Sequence, residues 1–220
     1  MNETWHPEGF AIEEGRLSNS ETMAVCFYAS LNKIPYRLFN KNIKNIPEGW
    51  VPEGSVDYIQ SILGYKVKPD YYPEYLSSFT NRNIWDQIKW PKDRVFIKPS
   101  DQYKRYTGFI TNGTYKGKRR GPHICSEVLS FKNEWRYYIC NGEILDAQWY
   151  SGDEFKMPKA PYLKFQFPIG IYGAIDFGEL HNGDIELVEY NHPFSCGWYG
   201  TNHSAYVKWL CEGWRYMLTL

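Results

Sequence analysis

The stretch from Ala174 to Tyr199 reads A-I-D-F-G-E-L-H-N-G-D-I-E-L-V-E-Y-N-H-P-F-S-C-G-W-Y, and it constrains the fold more than any other. Asn182-Gly183 at its centre is the dipeptide of a two-residue type I′ hairpin turn. Such a loop sets Asp176 across from Glu189, and Asn191, two residues on, points to the same face. Facing Cβ atoms lie about 4.5–5.5 Å apart in a hairpin, where two carboxylates repel. A divalent cation between them turns that repulsion into attraction. Two carboxylates and an amide oxygen suit Mg²⁺ or Mn²⁺ better than zinc. The other face pairs Phe177 with Val188 and Ile175 with Tyr190, an apolar surface fit for a core. The same acids also fit a solvated sheet face, since charged strand residues are common.

At 220 residues the chain makes one large domain or two small ones, with room for a sizeable core. Its formal net charge is zero, so no basic footprint argues for nucleic acid. With 19 Tyr, 12 Phe and 9 Trp it is too rich in aromatics for a disordered chain. Cys26, Cys125, Cys140, Cys196 and Cys211 show no C-x-x-C spacing and are odd in number, which favours buried thiols in a reducing compartment. No apolar run reaches membrane-spanning length, and the N-terminus lacks the basic and apolar regions of a signal peptide. A soluble, cytoplasmic protein with no membrane partner is expected.

Along the chain, residues 10–14 read as a short strand. Ser18 and Glu21 have capping-box spacing before a helix over 20–32, with Met23, Phe27 and Leu31 on one face. A strand from Ile34 to Phe39 completes a strand–helix–strand unit with a small parallel sheet. A turn and a helix over 55–63 follow, then a Pro- and Tyr-rich crossing from Lys68 to Tyr75. Pro91 punctuates a boundary, giving a short α/β unit over 1–92 and a second unit over 93–220.

The second unit opens on R-V-F-I-K-P, a strand whose last side chain, Lys98, can deliver an ammonium to a site before Pro99 stops the ladder. The loop D-Q-Y-K-R-Y-T-G then offers Lys104, Arg105, Thr107 and Gly108, positive charge and approachable backbone that suit a phosphate. The same cations also fit an ordinary solvated loop. Strands over 123–129 and 135–139 are expected, broken by Ser130–Asn133. A second turn at Asn141-Gly142 sets Arg136 across from Ala147 and Tyr138 across from Leu145. Arg136 inside an aromatic strand needs an anionic partner, and Glu134 is one candidate.

Taken in order, F-I-K-P with its Thr-Gly loop, S-E-V-L, E-W-R on a strand, an Asp and a Glu-x-Asn resemble an ATP-grasp enzyme. More narrowly, with G-S-V-D-Y-I and R-N-I-W, the chain resembles the phage-associated clade of that superfamily named for two arginines and a lysine. The resemblance implies an α+β ATP-grasp fold, two lobes with antiparallel sheets sandwiching ATP, preceded by the short N-terminal domain. It implies that Lys98 contacts the ATP phosphates and that the loop from Lys104 to Gly108 closes over them. Glu127, Val128 and Leu129 become the hinge beside adenine, and Glu134 resembles the acid that holds the ribose hydroxyls. Asp176, Glu189 and Asn191 hold magnesium, and Arg136 steadies charge on an acylphosphate. No second strand lysine precedes Lys98, and Arg82 stands in its place.

Such a site implies ligation of a carboxylate substrate to an amine acceptor (a small molecule, peptide or protein) with ATP and Mg²⁺ or Mn²⁺. The host cytoplasm is the expected location for a phage-encoded protein. His192, His203 and Cys196 read as packing or substrate-lobe residues. A metal-dependent nuclease also places an Asp and a Glu on adjacent strands, but commonly wants a lysine where Asn191 stands. A catalytically inactive ATP-grasp-like binder or inhibitor is the non-enzymatic alternative.

Overall fold

The computed structural model describes residues 6–113 and 121–220. The apolar run Gly9–Glu13 forms β1, buried along its whole length between two parallel neighbours, β2 (Tyr36–Phe39) and β3 (Trp50–Glu53), in the order β2-β1-β3. The sequence does not announce β3, because Pro52 interrupts it. An edge position tolerates a proline that has no N–H to give the ladder. Helix α1 (Ser20–Leu31) connects β1 to β2. Helix α2 (Val56–Leu63) is capped by Ser55, whose hydroxyl accepts from the Tyr58 N–H, and it ends at Gly64 in the left-handed region.

Two expectations for α1 are corrected. Its N-cap is Asn19, and no side chain caps it, because Glu21 turns instead to Arg16 at 2.8 Å. Met23, Phe27 and Leu31 do share a face, but that face looks outward, with exposures of 52%, 52% and 66%. The helix lies close on its sheet through the smaller Thr22, Ala24, Val25 and Ala29.

Two antiparallel sheets follow. The first joins β4 (Ile84–Gln87), β5 (Val95–Pro99), β6 (Phe109–Thr111) and β7 (His123–Ser126) in the order β4-β7-β5-β6. The second joins β8 (Phe131–Cys140), β9 (Glu143–Gly152), β10 (Gly173–Leu180) and β11 (Ile185–Asn191) in the order β11-β10-β8-β9. The break between β7 and β8 falls at 127–130, earlier than the sequence suggests, so Lys132 and Asn133 are already in the ladder.

The back of the second sheet is a dry layer of Trp135, Tyr137, Ile175, Phe177 and Leu187. A 3₁₀ turn (Glu74–Phe79) and the long β9–β10 connection cover it through Leu76, Leu163 and Phe167. On the front face, helix α3 (His203–Met217) covers Tyr138 through Tyr206 and Trp209, and the same helix joins the core of the N-terminal sheet. The rest of the front face is left to the first sheet. Between the two sheets runs a cleft.

Both Asn-Gly turns differ from expectation in register. Asn141 and Gly142 have φ of +51° and +81°, as a type I′ turn requires, but a bulge beside Ile139 then sets Arg136 against Gln148 and Tyr138 against Asp146. At the other turn only Gly183 has positive φ (+92°), and Leu180 and Asp184 close a three-residue loop, His181 to Gly183. Phe177 therefore pairs with Leu187 instead of Val188. Val188 is then an extra residue, and beyond it Asp176 stands opposite Glu189 and Ile175 opposite Tyr190.

Candidate functional site

Strand alternation in β5 sends Val95 and Ile97 into a small core and Phe96 and Lys98 into the cleft. From the opposite wall come Glu134 of β8 and Val188, Glu189 and Asn191 of β11, while Arg136 of β8 and Asp176 of β10 lie buried in the same sheet. At one end lies a narrow slot of 80 Å³ lined by Phe96, Ile110, Leu129, Phe131 and Val188, with Glu127, Val128 and Arg82 at its edge. It adjoins a cavity of 450 Å³ whose lining mixes Lys98, Lys104, Thr107, Glu134, Glu189 and Asn191 with aromatic rings such as Tyr71, Tyr103 and Tyr150. Gly108 lets the loop lie on β5, since a Cβ there would stand 2.7 Å from Phe96 and 2.9 Å from Lys98.

The centre of the site is a row of four charges from β5, β11, β10 and β8, two neighbouring carboxylates with a cation at each end. Arg136 and Asp176 are paired in the ladder, and the guanidinium makes a two-pronged bond, Nε to Oδ1 at 2.8 Å and Nη2 to Oδ2 at 2.7 Å. Glu189, on the other side of Asp176, is in contact with the Lys98 ammonium and accepts from Asn191 Nδ2 at 3.1 Å. Each carboxylate thus has its own cation, which answers the repulsion expected between facing acids. Burial would lower the Arg136 guanidinium, but Asp176 outweighs it and holds the group well above its ordinary range. Lys98, with 12% of its side chain exposed, rests over the Tyr71 and Phe96 rings at 4.8 and 5.5 Å. Burial pushes its ammonium down to about 7, with Asp176 pulling the other way.

Several expected residues have other partners than the sequence suggests. Arg136 is paired with Asp176, and Glu134 instead accepts from the Tyr150 hydroxyl at 2.8 Å. Arg105 is turned from the cavity by Asp101 at 3.0 Å and by the Pro122 carbonyl at 2.7 Å. The Glu127 carboxylate accepts from the Asn83 N–H and amide, and its own N–H donates to the Asn83 carbonyl. Lys104 sits at φ +55° and reaches the Ser195 carbonyl at 3.5 Å. Arg82 is enclosed, bound to Glu186 and to strand carbonyls of β11. His192 lies among Tyr103, Tyr190 and Phe194, and His203 stacks on Trp198. The Cys196 thiol, pushed up to about 11 by burial, donates to nearby carbonyls. Sequence reasoning missed the aromatic frame: Tyr199 and Tyr150 rings lie 5.1 and 5.9 Å from the Arg136 guanidinium. Tyr71 and Tyr72 come from the Pro- and Tyr-rich crossing, where the density of tyrosine is the available signal.

Asp176, Glu189 and Asn191 bring two carboxylates and an amide oxygen to one face beside the larger cavity. That hard, all-oxygen set fits Mg²⁺ or Mn²⁺. Among the described residues no group of three or more His, Cys, Asp and Glu side chains gathers.

Residues 79–209 match a family of ATP-grasp domains, the second family of the clade named for two arginines and a lysine. No curated protein matches the chain. Among solved structures, D-cycloserine synthetase DcsG is similar in fold, with a TM-score of 0.55, 8% identity, and coverage of 94% of this chain and 99% of that one. A RimK domain protein ATP-grasp from Sphaerobacter thermophilus DSM 20745 aligns with a TM-score of 0.52 and 8% identity over 96% of this chain and 97% of that one. At these identities the likeness shows the fold, an ATP-grasp fold of α+β lobes with antiparallel sheets. The chain belongs to the ATP-grasp domains, in the second family of the clade named for two arginines and a lysine.

Proposed function

We propose that the cleft binds ATP with Mg²⁺ and joins a carboxylate to an amine. The observation that carries this reading is the row Lys98–Glu189–Asp176–Arg136, whose Lys98 and Glu189 line the cavity next to an apolar slot, with the Thr107-Gly108 loop alongside. Adenine suits the slot between Phe96, Ile110, Leu129 and Val188. Since the Glu127 N–H is committed to Asn83, the hinge groups left for the base belong to Val128 and Leu129. Glu134 is placed for the ribose hydroxyls, and Lys98 and Lys104 for the phosphates. Arg82 has a supporting place beside β11.

Asp176, Glu189 and Asn191 would hold the metal ion, which when bound neutralises charge on the phosphates. In the reaction the substrate carboxylate oxygen attacks the γ-phosphorus and ADP leaves. The amine nitrogen then attacks the acyl carbon, phosphate leaves, and the amine gives up a proton. Arg136, anchored on Asp176 and flanked by Tyr199 and Tyr150, presents fixed positive charge where charge develops on that phosphoryl group. The protein supplies positioning and charge more than proton transfer. Carboxylate and acceptor are each a small molecule, a peptide or a protein. The D-cycloserine synthetase and the RimK domain protein share the fold, which supports a ligase.

The test is thermal shift with ATP and Mg²⁺. A ligand at 100 times its Kd stabilises by about 2.7 kcal/mol, a readily measured rise in Tm. Lys98→Ala should abolish most of that rise. Equal shifts in the variant and the wild type would remove Lys98 from the site. A rise without ADP release in the presence of candidate carboxylates and amines would instead favour a nucleotide-binding protein that does no ligation.

A further inference from the structure

Arg82 lies outside the charge row, yet it is one of the most heavily bonded side chains in the molecule. Its Nη1 donates to the Leu187 carbonyl at 2.7 Å and to Glu186 Oε1 at 2.9 Å. Its Nη2 lies 3.4 Å from the Val188 carbonyl and 3.3 Å from the Tyr72 hydroxyl, and the guanidinium rests over the Tyr72 ring at 5.2 Å. Glu186 in turn accepts from the Asn81 N–H and amide, so both partners are fixed from the segment leading into β4.

The two carbonyls are informative. In a regular strand successive carbonyls point to opposite edges. Leu187 and Val188 send both toward Arg82, on the outer edge of β11, because Val188 is the extra residue of a bulge. The bulge also places two consecutive side chains, Val188 and Glu189, on the cleft face, where both line the larger cavity. Without it the register set at the His181–Gly183 loop would continue. Glu189 would then stand opposite Ile175 and point into the dry layer behind the sheet.

We infer that Arg82 is a positioning residue: it clamps the Val188 bulge from the edge, and the bulge turns Glu189 onto the face of Asp176. An edge strand has no neighbour to hold an irregular stretch, and Arg82 supplies the missing donors. Its charge is answered by Glu186, leaving the guanidinium bound to protein atoms. The consequence for metal binding rests on the reading of the cleft proposed above. The register consequence does not.

The experiment uses the full chain with Arg82→Leu/Glu186→Leu, which removes the clamp and its counter-charge together so that neither is left buried alone. In ligand-free protein, amides of Leu187–Tyr190 should exchange at least about tenfold faster, while those of β8 keep their rates. By calorimetry, Mn²⁺–ADP should bind about 10–100-fold more weakly, with metal-free ADP changed less than about threefold, as when an outer partner of a metal ligand is lost. Unchanged exchange over Leu187–Tyr190 would overturn the inference. So would equal weakening with and without Mn²⁺, which would place Arg82 directly on the phosphates. A wild type that binds no nucleotide would sink the cleft reading and leave exchange to decide the clamp. Should the double variant fail to fold, Arg82→Lys keeps the charge against Glu186, loses the fork that spans two carbonyls, and is read the same way.

Discussion

Glu53, at the end of β3, is enclosed almost completely, and among the described residues its carboxylate meets one donor, Thr22 Oγ1 at 3.5 Å. Burial, with Glu21 nearby, pushes it up to about 8, against Arg16, Thr22 and Lys104. A carboxyl raised on folding leaves stability whole below its unfolded pKa, near 4.3, and removes it as pH rises toward the folded value. The loss runs at about 1.4 kcal/mol for each pH unit across that window. Glu53→Gln should therefore melt above the wild type at pH 8.5, and the gap should close as pH falls to 4.5. A gap that is flat with pH would show that Glu53 does not carry a proton there. Single residues were legible where chemistry and strand alternation agree. Lys98 at a strand end, its side chain in the cleft, needs little else. Tyr71 was not legible, because only the fold brings its ring under Lys98.

Elements were legible where a local rule is strong, as at Ser55 before α2. They were obscured where the deciding atoms are distant in sequence. Asn141-Gly142 and Asn182-Gly183 carry the same dipeptide and make different loops. The first is a true two-residue turn whose register a later bulge shifts. The second is a three-residue loop whose register the Val188 bulge returns to the expected pairing at Asp176. The facing of Asp176 and Glu189 was thus read rightly through two errors that cancel, since the partner that accompanies the bulge, Arg82, is far away along the chain. Helix α1 misleads in another way, because its large apolar residues face out and its small ones make the contact. At the loop, Gly183 sits at φ +92° with open space where a Cβ would go. Gly183→Ala should cost about 1–2 kcal/mol through backbone strain alone. Denaturant melts would read that loss, with ATP-dependent stabilisation retained. A neutral Gly183→Ala would mean that the loop relaxes into another turn.

On the scale of the whole molecule, the described residues form three cores that share the work. One joins the N-terminal sheet, α1, α2 and α3, one lies behind the second sheet, and a small one lies behind the first. The cleft between the two antiparallel sheets was foreseeable only through resemblance, since no local pattern says which sheet faces which. The five free cysteines are distributed across this plan, Cys125 in the small core and Cys196 and Cys211 in the large one, with Cys140 at the end of β8 and Cys26 half-buried on α1. Burial pushes Cys125, Cys140 and Cys196 up to about 11 and Cys211 higher still, so little thiolate is present near neutral pH. Brief alkylation at pH 8 followed by mass spectrometry should mark Cys26 first and leave the other four nearly untouched in the native protein. Five equal rates would contradict that burial. Because each buried thiol is modified only when its own surroundings open, the chain carries internal clocks. The rate at Cys125 times the opening of one wall of the cleft, and the rate at Cys211 times the release of α3 from the core it shares with the N-terminal sheet.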